Sequence, residues 1–308
     1  MVPICSVCGS VAVRPVNRHL GADTKLYRCT ECGLAFCSPL PDLDSLSAGP
    51  NSLPTDPKYT AGLLDRSPQK RIQYQGLAEG RYMHYSACLH RTNFRILEVG
   101  CGSCGMAATY NRLGVEYWGI DIDPRVVGHA RESGIRTVSH TDLFNMPVTE
   151  KYDVICFSQV LEHIKAPRLF LDKVASLLSS GGIVHCDVPN HKSLPSFLYR
   201  LPINRKRWGA IEYPHHLYAY TRHSLHALFS ASFAVKVFDV TVDDPVWGQA
   251  IGTDNRLALL SSLLRSVNAG SLLVAYGVKK AAQDYVDVKA HQEAISSPAG
   301  LECLGAGR

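Results

Sequence analysis

Arg95-Ile96-Leu97-Glu98-Val99-Gly100-Cys101-Gly102-Ser103-Cys104-Gly105 is the stretch of this 308-residue chain that decides its fold. An apolar run of strand length ends in an acid and opens into Gly100-x-Gly102-x-x-Gly105, after which Met106-Ala107-Ala108 favours a helix. Glycine admits backbone conformations and bare contacts that side chains forbid. A strand, glycine turn and helix in this order therefore let backbone approach a nucleotide-like ligand closely. About twenty residues beyond Gly102, Asp121 closes a second apolar run, where a carboxylate can accept hydrogen bonds from ribose hydroxyls.

Working outward, apolar runs alternate with helical spacing. The pattern predicts strands over 94–99, 117–122, 152–157 and 182–188. Asp123-Pro124 starts one helix. Another follows Lys165, places Phe170, Val174, Leu177 and Leu178 on one face, and is stopped by Gly181-Gly182. Thr221 caps a helix carrying Leu225, Leu228 and Phe229, and final strands follow over 233–240 and 272–278. Such alternation defines an α/β chain with a doubly wound, Rossmann-like, mostly parallel sheet. The tail from 283 to 308 has little to pack and is expected to be disordered.

The N-terminus reads differently. Cys5-Ser-Val-Cys8 and Cys29-Thr-Glu-Cys32 form two C-x2-C knuckles, each followed by a turn-forming glycine, which is the pattern of a four-thiolate zinc ribbon over 1–40. A segment this short has too little core to fold alone, so structural Zn2+ is expected to supply folding free energy there. Cys37 lies outside the pattern. Residues 41–57 are rich in Pro, Ser and Asp and read as a linker separating two bodies; the rest, up to 90, reads as helices capping the main domain. Domain boundaries follow at 1–40, 41–90 and 91–282.

Hydrophobic residues make up 46% of the chain and charged residues 19%, a globular composition. No apolar run reaches the ~20 residues that span a bilayer, and no export signal precedes the ribbon, so a cytoplasmic protein without membrane insertion is expected. Eleven cysteines in such a chain point to metal binding before disulfides. A net charge of +5 permits an acidic partner without demanding nucleic acid.

Glu98 narrows the ligand. A carboxylate two residues before the first glycine repels a pyrophosphate and attracts a cationic amine, so S-adenosylmethionine fits better than a dinucleotide. Taken together, Glu98-Val-Gly-Cys-Gly-Ser, Gly119-Ile-Asp121-Ile-Asp123, Asp142-Leu143, Tyr152-Asp-Val-Ile-Cys-Phe-Ser-Gln-Val-Leu-Glu-His-Ile164 and Gly181-Gly182 resemble the class I S-adenosylmethionine-dependent methyltransferases of the small-molecule type. The resemblance covers roughly 91–280. It implies that Glu98 and Gly100 contact the methionine end, that Asp121 binds the ribose and that Asp142 with Leu143 frames the adenine. It also implies that Ser158 and Gln159 line the sulfonium and that the last strand is antiparallel. Cys101, Gly102, Gly105 and Ile122 complete the implied cofactor contacts. One departure stands out: the usual third glycine falls at Cys104, which creates a Cys101-Gly-Ser-Cys104 pair imitating a redox motif.

Methyl transfer to a hydroxyl or amine calls for a base only where the acceptor must lose a proton. His163, His215 and His216 are the candidates, the last two in an insertion over about 191–218 that is expected to form a substrate lid. Quinone-biosynthesis methyltransferases carry a metal-associated Glu-x-x-Glu-His; here Gln159 replaces the first acid, so no hard-cation site is expected. Arg200 and Arg205-Lys206-Arg207-Trp208 read as a solvated basic loop that, facing the pocket, pairs with an acidic or phosphorylated acceptor. The expected activity is O-methylation of a small molecule such as a sugar or other biosynthetic intermediate. An RNA base methyltransferase, for which the ribbon speaks, and a non-catalytic binding protein are the alternatives.

Overall fold

The computed structural model describes residues 2–19, 24–40, 67–193, 196–197, 207–240 and 270–280. The segments 41–66 and 281–308, Arg200, Arg205, Lys206 and much of the expected lid lie outside the described residues.

Strands β1 (Val13–His19), β2 (Lys25–Cys29) and β3 (Ala35–Ser38) form an antiparallel ribbon. Helix α1 (Pro68–Leu89) follows, capped by Ser67, whose hydroxyl accepts from the Lys70 amide. The main sheet then builds as β4 (Arg95–Val99), α2 (Ala107–Arg112), β5 (Glu116–Asp121), α3 (Pro124–Glu132), β6 (Val138–His140), β7 (Tyr152–Ser158), α4 (Pro167–Leu177) and β8 (Leu178–Pro189). Short strands β9 (Arg207–Trp208), β10 (Ile211–Glu212) and β11 (Tyr218–Ala219) lead to α5 (Arg222–Phe229), β12 (Phe233–Val240) and β13 (Leu272–Lys279). The order across the large sheet is β12-β13-β8-β7-β4-β5-β6. Strand β13 runs antiparallel between β8 and β12, and the other neighbours from β8 to β6 pair in parallel.

Period-two alternation assigns each strand residue to one face. Ile96, Val154 and Cys156 join a cluster with Tyr85 of α1, Tyr110 of α2 and Ala130 of α3. Leu97, Ile155 and Phe157 point the other way, into a cluster with Phe170, Val174 and Leu177 of α4 and Phe229 of α5. Burying each Val, Leu, Ile or Phe among them contributes about 1.5–3 kcal/mol.

Asp123 caps α3 through the Arg125 amide, and Thr221 closes a capping box with Ser224, as their sequence positions predict. Two local readings change. Helix α4 ends at Leu177, and Gly181-Gly182 lies within β8, in a bulge where the register slips between Tyr152 and Val154. Strand β6 is additional: three residues, Val-Ser-His, carry too little apolar pattern to announce it.

The ribbon is not a detached body. Strand β11 pairs with β3, so the insertion extends the ribbon's own sheet, and Cys5, Val7, Cys29, Cys32, Leu34 and Phe36 lie in one cluster with α4, α5 and the large sheet. Linker composition does not decide whether the bodies on either side of it dock.

Gly105 is fixed by packing. A Cβ there would stand 2.3 Å from the Tyr74 ring of α1. Gly105→Ala is therefore expected to cost roughly 1–3 kcal/mol by overpacking, read as a lower urea midpoint with an unchanged slope.

Candidate active site

The carboxyl ends of β4, β5, β7 and β8 gather the residues singled out above. Gly100 has φ +66° and its amide donates to the Ile120 carbonyl at 2.8 Å; a Cβ would lie 2.5 Å from Val160, just beyond β7. The turn after β4 thus lies against the turn after β7, and only glycine fits between them. Cys104, in the usual place of the third glycine, takes a left-handed φ of +52°. Its thiol sits 3.4 Å from that of Cys101, both buried and both free. Contact with Cys104 and burial push the Cys101 thiol up, the opposite of what a redox nucleophile needs.

Asp121 ends β5 and accepts from the Gly102 amide at 3.0 Å and the Asp123 amide at 2.9 Å. It pins the glycine turn, and a carboxylate keeps further lone pairs for hydroxyls. Burial raises its pKa. Asp142 caps the single turn Leu143–Asn145, accepting from the Asn145 backbone at 3.0 Å and side chain at 2.8 Å, while Leu143 is buried. Ile122 and Phe144, beside these two acids, are 57% and 48% exposed, which leaves two apolar side chains facing outward next to the carboxylates.

Glu98 is 8% exposed and accepts from the Tyr117 hydroxyl at 2.7 Å; burial pushes its carboxyl up to about 7. A second buried carboxylate, which the sequence reading missed, organises the neighbouring turn. Asp187, near the end of β8, accepts from Arg81 of α1 at 3.3 Å, from the Ser158 hydroxyl at 2.6 Å and from the Gln159 amide group at 3.1 Å. The Asp187 carbonyl also accepts from the Gln159 backbone at 2.9 Å. Gln159 has φ +56°, a costly conformation for a branchless L residue, and these bonds hold it there. The available signal was an acid near the carboxyl edge of the predicted strand 182–188, in a run that His185 also interrupts.

The histidines converge on the far side of this turn. His163 Nδ1 donates to the His215 carbonyl at 2.8 Å and His216 Nδ1 to the Ala210 carbonyl at 2.7 Å, and the two rings meet edge to face at 4.9 Å. These bonds fix both as Nδ1–H tautomers and leave Nε2 as the basic nitrogen of each. Burial and the neighbouring His216 lower His163 to about 4. His215 joins through its carbonyl, outside the ring cluster. Glu162, 1% exposed, brings a carboxylate whose oxygens meet no hydrogen-bond partner among the described residues, and burial raises it to about 8. Glu162, His163 and His216 place donor atoms within 4.8 Å of one another, a set that can hold a cation. Gln159 therefore does not dispose of a metal by itself, because His216 supplies a donor from a remote segment; two imidazoles and one carboxylate favour a transition metal over a hard cation.

Cys5, Cys8, Cys29 and Cys32 gather likewise within 4.8 Å, with Cys5–Cys32 and Cys8–Cys29 sulfur separations of 3.6 Å. Thiolates bound tetrahedrally at about 2.3 Å stand about 3.8 Å apart, so the cluster is compatible with a structural zinc ion. Contact with Cys32 pulls the Cys5 thiol down to about 5 and pushes its partner up.

A doubly wound sheet with a glycine turn pinned by an acid at the end of the next strand, and one antiparallel strand, defines a Rossmann-like methyltransferase fold. The chain belongs to the methyltransferase domain family, whose model matches residues 62–232, more than half of its length. Ubiquinone biosynthesis O-methyltransferase from Nitrobacter winogradskyi is 28% identical over 144 residues, 44% of this chain and 54% of the relative. The one from Cereibacter sphaeroides is 32% identical over 113 residues, 34% and 45% of the two chains. The chain thus spans about half the length of the curated relatives it matches. Among solved structures, the plantazolicin methyltransferase BpumL, in complex with SAH, superposes with a TM-score of 0.54 over 78% of this chain and 94% of that one, at 18% identity, a likeness of fold. No helix among the described residues is long and apolar enough to cross a membrane.

Proposed function

We propose that the chain transfers a methyl group from S-adenosylmethionine to a small-molecule acceptor, with a hydroxyl as the favoured site. The observation that carries this reading is the pairing of a buried carboxylate, Glu98, with a glycine turn pinned by Asp121, inside a methyltransferase-family domain. Bound there, S-adenosylmethionine supplies an electrophilic methyl group on a cationic sulfur. Gly100, Cys101, Gly102 and Gly105 shape the turn that receives the methionine end, and Asp121 accepts from the ribose. Ile122 and Phe144, exposed beside Asp142 and Leu143, would offer apolar contact to the base. Ser158 and Gln159, held by Asp187, form the wall near the sulfur. On the acceptor side, His163 Nε2 takes the proton that a hydroxyl loses, and His216 braces its ring. Much of the acceleration comes from aligning acceptor and methyl.

An acidic or phosphorylated acceptor is part of this reading, resting on the basic run 205–208. So is a cytoplasmic setting, resting on a thiol-rich chain suited to a reducing compartment. Incubation with labelled S-adenosylmethionine, pooled small metabolites and RNA should label a small product; label confined to the RNA fraction would sink this reading in favour of an RNA methyltransferase.

Glu98 also makes cofactor affinity depend on pH. Its carboxyl, raised to about 7, gains charge as pH rises from 5.5 to 7.5, so calorimetry with S-adenosylhomocysteine should show tightening over that window. Glu98→Gln should flatten the profile and weaken binding about tenfold at pH 7.5.

A further inference from the structure

We infer that the four-cysteine ribbon acts inward: it is the brace that positions Glu162, His163 and His216, so that metal occupancy at the cysteines sets the order of the acceptor wall. The connection runs through Leu217, which is fully buried. Its carbonyl accepts from the Cys37 amide of β3 at 3.0 Å, and its own amide donates to the Glu162 carbonyl at 2.8 Å. One residue therefore ties the ribbon's strand to the turn that presents Glu162 and His163.

The flanking residues repeat the connection. On the C-terminal side, Tyr218 and Ala219 pair with Phe36 and Ala35, and the Thr221 hydroxyl donates to the carbonyl of Cys32, one of the four cysteines, at 3.1 Å. On the N-terminal side, His215 gives its carbonyl to His163 Nδ1. The Tyr218 hydroxyl donates to Lys165 at 2.9 Å, and Arg168 Nε donates to the Val7 carbonyl, inside the first knuckle, at 2.9 Å. The bonds through Leu217, Thr221 and Arg168 link ribbon to main domain, and all fall between the two knuckles with their strand on one side and the 161–168 and 215–221 segments on the other. The glycine turn, Asp121 and α3 take part in none of them. A ribbon that is built only to meet an outside partner needs no such bonds to the histidine turn.

Thiolate ligation closes the 5–32 loop, so losing the metal frees the Cys29–Gly33 turn and β3 behind it. Strand β11, a two-residue strand paired to β3, then loses its template, and the His215–Leu217 backbone with it. Calling this wall the acceptor side rests on the proposed function; the physical coupling does not.

The test compares the full chain loaded with one equivalent of zinc, shown by X-ray absorption to be bound through sulfur alone and so not at Glu162, His163 and His216, with chain stripped by a chelator, using hydrogen–deuterium exchange. Peptides over 157–166 and 207–221 should exchange about tenfold faster on stripping, together with 5–37, while 95–102 and 116–132 stay within about twofold. Long-range proton–nitrogen spectra should show His163 as the Nδ1–H tautomer with metal and as a tautomer mixture without it. Exchange confined to 5–37, or rising equally across the chain, would overturn the inference. Arg168→Met, which leaves every cysteine in place, should weaken zinc affinity several-fold in equilibrium competition with a colorimetric chelator, because coupling between two sites is reciprocal; an unchanged affinity counts against the brace. None of these readouts requires cofactor or acceptor, so they stand whether or not methyl transfer is observed.

Discussion

Asp187→Ala is expected to lower stability by about 3–5 kcal/mol and to abolish measurable S-adenosylhomocysteine binding. The stability loss follows from Arg81. Its guanidinium is 2% exposed, cannot shed its proton, and has in Asp187 its buried counter-charge at 3.3 Å. Truncating the acid strands that charge away from water. The binding loss follows from Gln159, whose left-handed backbone depends on the Asp187 carboxylate and carbonyl together. Released, it relaxes toward an ordinary conformation and carries Val160 off Gly100. The paired substitution Arg81→Met with Asp187→Leu separates the two effects. An apolar pair of similar volume should recover much of the stability, since buried ion pairs exchange with apolar groups at little net cost, yet binding should stay lost. Urea unfolding and calorimetry on the three proteins decide the matter; a single substitution that costs under about 1 kcal/mol would show that the pair is not the keystone proposed.

Why the sequence announces some of this site and conceals the rest follows from the range of the interactions. Glu98, Gly100, Gly102 and Asp121 are legible because a strand-to-helix turn is a local object: its spacing is written in consecutive residues, and the pairing of β4 with β5 places Asp121 under the Gly102 amide. The knuckle cysteines are legible for the same reason. Asp187 is not, because its partners lie 28, 29 and 106 residues away, on two other elements. Arg81 reads as one more charge on a polar helix until α1 is laid across the sheet. The docking of the ribbon is written in Tyr218-Ala219, two residues that carry no period at all, and β6 is barely longer. Gly181-Gly182 misleads in the opposite sense: paired glycines after an amphipathic run look like a helix stop, although the sheet takes them as a bulge once β7 and β8 have set their register.

The histidine turn yields the other large effect. His163→Gln is expected to reduce kcat by roughly 10²–10⁴ toward the acceptor found by the labelling screen, while leaving S-adenosylhomocysteine affinity unchanged. Glutamine keeps a donor for the His215 carbonyl, so the wall remains standing, but it offers no basic nitrogen to take the hydroxyl proton. His215→Gln should do far less, because the backbone carbonyl of that residue, not its ring, belongs to the cluster. The pH profile separates a chemical role from a structural one. A histidine held down to about 4 by burial and by His216 is neutral, and so able to accept a proton, throughout the range above it; protonation as pH falls through about 4 should remove activity. The parent enzyme should thus show no acid limb between about 5 and 7 on the kcat profile. A limb near 6 there that survives His163→Gln would assign the proton transfer to another group and leave His163 as packing. Neutrality has a cost in base strength, since a group of low pKa draws weakly on the departing proton. That combination suits an acceptor whose hydroxyl is already acidic, as on an aromatic ring, better than an alkyl alcohol. Acceptors ranked by hydroxyl acidity should therefore rank in kcat in the same order, with a steeper dependence in the glutamine variant, where only the acceptor's own acidity is left to release the proton.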